Sequence, residues 1–178
     1  CTEVTNDKKT FWSGRINNYL VKLHYEPEYW MSGHLNHIGD INNTQHRTLK
    51  SAMNDAPEKR RNHQFQKRSP DIVLEIEKEN NEFFIVVLDA KYTTPELAFE
   101  RDLPECTLKY VHGLGSWRNQ SLVKAMIILH PDSMGRYNDF HTTPFDTYGL
   151  SPQLPLLGAQ GLMLSETAIE QSEPIHKL

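Results

Sequence analysis

Asp71, Asp89 and Lys91 are the residues of this chain whose types and spacing could do chemistry together. Asp71 opens an apolar run, Ile72-Val73-Leu74-Glu75-Ile76. Asp89 and Lys91 close a second one, Phe83-Phe84-Ile85-Val86-Val87-Leu88. Both runs have the length and the β-branched and aromatic content of buried strands. Between them Lys78 to Glu82, with Asn80-Asn81 at the centre, is a turn signal, because Asn tolerates the positive φ of a tight hairpin. An antiparallel hairpin sets the start of its first strand beside the end of its second. The two carboxylates and the lysine are therefore expected at one edge of a small sheet.

Two carboxylates are hard oxygen ligands. With the Ala90 carbonyl and water they suit Mg²⁺, or Mn²⁺ in its place. Lys91, two residues after Asp89, points to the same strand face. Its ammonium would orient a metal-bound water, stabilise the hydroxide formed from it, or neutralise charge on a phosphoryl group. These are parts for metal-assisted hydrolysis of a phosphodiester.

The elements that must position these groups follow from pattern. Residues 1–17 read as irregular. The stretch 18–26 alternates (Tyr19, Val21, Leu23, Tyr25) and reads as a half-buried strand that Pro27 ends. Tyr29, Trp30 and Met31 read as core. Residues 32–62 show little apolar periodicity, with one or two helical turns at 48–53. Thr94 before Pro95 is a helix start, a capping side chain followed by proline at the first helical position. A short helix is expected at 96–102 and a second at 105–114, restarted by Pro104. In the second, Glu105, Lys109 and His112 share one face, and Cys106, Tyr110, Val111 and Leu114 pack on the sheet. Residues 122–129 read as a central strand. A last strand is expected within 155–164 and a terminal helix at 166–171. The expectation is one domain over 1–178 with its core at 71–130. Its class is α/β, a small mixed sheet flanked by helices. A right-handed crossover through the helix would place strand 122–129 parallel to strand 83–90.

Composition bounds the rest. The 178 residues suit one domain with a core of its own. No apolar run reaches the roughly 18 residues of a membrane span. Two cysteines make no disulfide framework and point to a reducing cytoplasm. The net charge of −4 gives no overall pull toward nucleic acid. However, Lys59, Arg60, Arg61, His63, Lys67 and Arg68 form a basic run just before Pro70-Asp71. It is either a solvated loop or a phosphate-contacting arm. The chain lacks an initiating Met and reads as the C-terminal part of a longer one.

Pro70-Asp71 followed by Asp89-Ala90-Lys91 resembles the PD-(D/E)xK nuclease signature. Asp89-Ala90-Lys91-Tyr92 after Pro70-Asp71-Ile72-Val73-Leu74, with Lys109-Tyr110-x-His112 on the next helix, is similar to McrC-like nuclease domains of restriction and other defence systems. The resemblance implies a restriction-endonuclease-like core and cleavage of DNA. It makes Asp71 and Asp89 metal ligands and Lys91 the catalytic lysine. It sets Lys109, Tyr110 and His112 on a helix facing the site or the DNA. Many superfamily members add a Glu from a preceding helix. Here it is missing, comes from outside the chain, or is supplied by Glu26 or Glu28. Cutting both strands calls for a homodimer or a partner. Any NTP-driven step belongs to a partner, since there is no Walker loop. The alternative is a catalytically silent module of the same fold. His34, His37 and His46 fit no common zinc spacing, and no G-x-S-x-G elbow supports a serine hydrolase.

Overall fold

The computed structural model describes residues 10–30, 41–44, 67–79, 82–116, 119 and 121–163. Met31, the three loop histidines, the turns at 48–53, the basic residues before Lys67, Asn80-Asn81 and the helix at 166–171 lie outside them.

The elements in chain order are β1 (Thr10–Ile16), β2 (Tyr19–Tyr25), β3 (Tyr29–Trp30), β4 (Ile41–Asn43), β5 (Lys67–Arg68), β6 (Ile72–Lys78), β7 (Phe83–Ala90), the helical run α1 (95–111), β8 (Leu114–Ser116), β9 (Val123–Pro131), β10 (Tyr137–Asp139) and β11 (Leu156–Leu162). Seven strands form one mixed sheet in the order β1-β2-β6-β7-β9-β11-β10, and β3 with β5 and β4 with β8 make two small ribbons. β6 and β7 are antiparallel, with Ile72 opposite Leu88 and Glu77 opposite Phe83. β7 and β9 are parallel, from Ile85 beside Val123 to Ala90 beside Leu129.

The expected α/β class is overturned. Strand makes up 49% and helix 15% of the described residues, so the protein is mostly β rather than a sheet flanked by helices. The class differs because of β1 and the short strands β3, β4, β5, β8 and β10, none of which was expected, and because one helical run stands where two helices were expected. The segment before Tyr19 is a strand, turning into β2 through Asn17 at φ 53. Its bulky residues are interrupted by Ser13, Gly14 and Arg15, so the apolar alternation is weak. The two expected helices are one run, because Pro104 does not break it. Its α-helical parts, Pro95–Leu97 and Leu103–Cys106, alternate with wider π turns at Ala98–Asp102 and Thr107–Val111. Leu103 N–H reaches back to the Ala98 carbonyl, five residues earlier, and this wider register accommodates a proline without an N–H. Leu114, expected in helix, begins β8, paired with β4.

The core lies where α1 covers one face of the sheet. Along β7, Phe83, Ile85, Val87 and Asp89 are buried, while Phe84, Val86 and Leu88 between them are only partly so. Period two sends alternate side chains to opposite faces. The buried set packs with Val73, Val123, Met126, Ile128, Leu157 and Ala159 from neighbouring strands, and with Ala98, Leu103, Cys106 and Tyr110 of α1. Thr94 caps α1, its hydroxyl accepting from Leu97 N–H at 3.4 Å. No helix among the described residues is long and apolar enough to cross a membrane.

Adjacent valines test the face assignment. Val87→Ala should cost about 2–3 kcal/mol in urea denaturation, through lost burial and the cavity left. Val86→Ala should cost less than half of that. Equal losses would show that both faces are packed alike.

Candidate active site

Asp89 is the last residue of the buried series on β7, so strand alternation drives its carboxylate under α1, where it is 1% exposed. A charge removed from water needs partners. It has three. The Tyr110 hydroxyl donates to Oδ1 at 3.1 Å, the Cys106 thiol lies 3.5 Å from Oδ2, and the Lys91 ammonium makes a close ion pair with Oδ2. Cys106 and Tyr110 stand four residues apart on α1, so one helix face serves one carboxylate.

Asp71 sits just before β6. Extending the β6–β7 register by one pair sets it opposite Asp89. Its Oδ2 accepts from Ala90 N–H at 2.7 Å, and its own carbonyl accepts from Glu26 N–H at 2.7 Å. Lys91 leaves the strand but is pinned by its backbone N–H to the Leu129 carbonyl at 2.8 Å. The hydroxyl of Tyr110 also lies 3.1 Å from the carbonyl of Ser69, two residues before Asp71. Helix, β6 approach and β7 end are thus tied together at one place.

Burial pulls the Lys91 pKa down, but the hydrogen bond and charge of Asp89, with Asp71 beyond, outweigh it and hold the ammonium above its ordinary range. Lys91 is therefore a fixed cation at neutral pH and serves electrostatically rather than as a base. Burial, then Asp89, pushes the Tyr110 hydroxyl well above the usual tyrosine range. The same causes push the Cys106 thiol up to about 12. Both side chains are thereby kept as neutral donors to Asp89.

The structure brings Asp71, Asp89, Ala90 and Lys91 together. Of the residues expected on DNA, Lys67 and Arg68 form β5 against Tyr29 and Trp30. Lys67 is paired with Glu28 and lies 5.7 Å over the Trp30 ring. Arg68 is half-buried, and burial lowers its pKa. Lys109 lies 4.6 Å over the Tyr110 ring, and His112 is exposed just past the helix. Tyr110 itself is fully buried, so its hydroxyl serves Asp89 and Ser69 rather than a groove. Glu28 is committed to Lys67, whereas Glu26 reaches Asp71 through its backbone. The donor role of Cys106 was hidden in the sequence, where it reads as core. Its spacing to Tyr110 was the available signal.

Among the described residues no three or more His, Cys, Asp and Glu side chains cluster as a metal-holding group. A site of two carboxylates, one backbone oxygen and water is of a different kind, and it is what a hard, hydrated cation such as Mg²⁺ accepts. The donor types at Asp71, Asp89 and Ala90 are those such an ion takes, and Asp89 would exchange a protein donor for it on binding. The chain matches no family model, no curated protein and no solved structure.

The thiol gives a pH prediction. Its native pKa is raised above the ordinary thiol value of about 8.5. Its contribution to stability is therefore complete below that value and is lost as pH rises toward about 12. In a Cys1→Ser background, iodoacetamide at pH 8.5 should label Cys106 far more slowly in the native protein than in urea. Equal rates would mean that the thiol is neither buried nor raised.

Proposed function

We propose that the protein is a metal-dependent DNA endonuclease that hydrolyses phosphodiester bonds at the Asp71–Asp89–Lys91 site. The observation that carries this reading is the meeting of two carboxylates and a lysine ammonium held in its charged form, at the end of adjacent strands. Asp71, Asp89 and the Ala90 carbonyl would hold Mg²⁺, or Mn²⁺ in its place. Such an ion, when bound, supplies Lewis-acid activation of water and charge neutralisation. Lys91, about one-third exposed, faces both the carboxylate and solvent, where a phosphate would approach. Its fixed charge offsets the negative charge gathering on the phosphoryl oxygens. Lys67, Arg68, Lys109 and His112 are the side chains from which backbone-phosphate contacts are drawn. The motif's likeness to PD-(D/E)xK nucleases supports a restriction or defence setting in the cytoplasm, with a homodimer or an NTPase partner for two-strand cleavage.

A second reading, a catalytically silent module that binds nucleic acid or assembles a larger machine, is favoured by one observation. Asp89 is nearly inaccessible and already has three donors from the protein.

Plasmid and single-stranded DNA with Mg²⁺ or Mn²⁺ separate the two. The nuclease reading expects metal-dependent cutting, reduced roughly a hundredfold or more in Lys91→Ala, Asp71→Asn and Asp89→Asn. Binding without cutting by the wild type would select the silent module. Undiminished cutting by any folded variant would remove that residue from the site.

A further inference from the structure

Tyr92 follows Lys91 directly and is 98% exposed, so its whole ring stands in water. Exposed aromatic rings occur singly on many surfaces and need no function. Tyr148 at 86% and Leu150 at 99% are comparable, but they lie on the loop joining β10 to β11, not on the turn that carries Lys91. Position and rigidity set Tyr92 apart. Lys91 N–H is bonded to the Leu129 carbonyl at 2.8 Å and Thr93 N–H to the Lys91 carbonyl at 3.0 Å, and Thr94 then caps α1. The backbone on both sides of Tyr92 is thus fastened, on one side to the sheet and on the other to the helix. Its ring projects from a fixed turn, one residue from the ammonium that faces the carboxylates.

We propose that Tyr92 is a substrate-positioning residue that stacks on an unpaired nucleobase next to the phosphate at Lys91. The inference rests on the nuclease reading of that site and names its preferred substrate as single-stranded or locally unpaired DNA. An exposed aromatic ring and a cation on consecutive residues of one turn offer the two parts that a nucleotide asks for, a surface for a flat base and a charge for a phosphate. Every base offers a π-face, so such stacking is tolerant of sequence. Within a duplex those faces are covered by neighbouring base pairs, and only an unpaired or displaced base presents one to an outside ring. A ring so fully exposed loses little on binding beyond its own hydration, and a Tyr orders few rotatable bonds.

The test is binding of a labelled oligo-dT strand in EDTA, followed by anisotropy, so that no metal chemistry is required. Tyr92→Ala should weaken binding about five- to a hundredfold, and Tyr92→Trp should keep it. The discriminating probe is an abasic strand of the same length. It should bind the wild type and Tyr92→Ala equally, since it has a backbone but no base. The proposal is overturned if Tyr92→Ala binds oligo-dT as the wild type does. It is also overturned if its loss is as large on the abasic strand, if Trp does not rescue, or if the wild type binds no single strand. Base-dependent binding through Tyr92 by a protein that never cuts DNA would uphold this inference and remove the nuclease reading. Metal-dependent cutting with base-independent binding would do the reverse.

Discussion

The constraint on which this structure turns is a carboxylate placed where an apolar side chain belongs. Asp89 continues the buried series Phe83, Ile85, Val87 on β7, and nothing in strand geometry lets it turn aside. An unpartnered charge at that depth has a desolvation cost of several kcal/mol. The surroundings are arranged to meet it. α1 carries Cys106 and Tyr110 over the strand end, and Lys91 folds its ammonium back onto the same carboxylate. The Tyr110 hydroxyl, shared with the Ser69 carbonyl, extends the arrangement to the approach of Asp71. One buried charge thus sets the place of the helix over the sheet and the way the chain leaves β7.

The helix meets this demand without a regular α register. Both halves of it pack over β9, the stretch up to Cys106 also reaches β11, and Cys106 and Tyr110 meet Asp89 on β7. Pro104 interrupts the usual hydrogen-bond ladder, and the π turns on either side absorb the interruption. A break at Pro104 would have parted the first turns of the run from Cys106 and Tyr110, which hold Asp89. The wide turns keep the two continuous, so the burial of Ala98 and Leu103 and that of Cys106 and Tyr110 act on one rigid run.

Much of this was legible in the sequence where the signal is local. The hairpin, the proximity of Asp71 and Asp89, the Thr94 cap and the parallel pairing of β7 with β9 all follow from period-two runs, turn chemistry and the crossover. The fold class was not legible. β1 alternates too weakly to show as a strand, and helix-like patterning around Pro104 suggested two helices where there is one. The role of Cys106 was also out of reach. Nothing in a helical face distinguishes a thiol packed against leucine from one turned onto a carboxylate, since that choice is made by β7. The helical pattern sets Tyr110 against the sheet and the family resemblance sets it toward the site or the DNA; it is buried in the core, and its hydroxyl reaches the site from there. Local pattern separates the buried face of the helix from the exposed one, but not which buried side chain turns a polar atom onto the carboxylate.

Stability alone gives a poor reason for Asp89. A buried ion pair replaced by well-packed apolar residues is often neutral or more stable, whereas removing one partner is costly. An Ile or Val at position 89 would extend the buried series and would need neither a thiol nor a buried hydroxyl. Lys91 would then stand free at the surface, where an exposed ion pair adds little. The arrangement departs from the cheaper solution at several positions at once, and the departures converge on one strand end. Violations of local pattern that cluster in space are where chemistry is to be sought. The Asp71 carboxylate, bonded to the amide between Asp89 and Lys91, fixes the opposing strand at that same point. A structural anchor requires only that Asp89 be neutralised. A site requires in addition that a second carboxylate be held in register with it and that a cation be left partly open to solvent, and both conditions are met by Asp71 and Lys91.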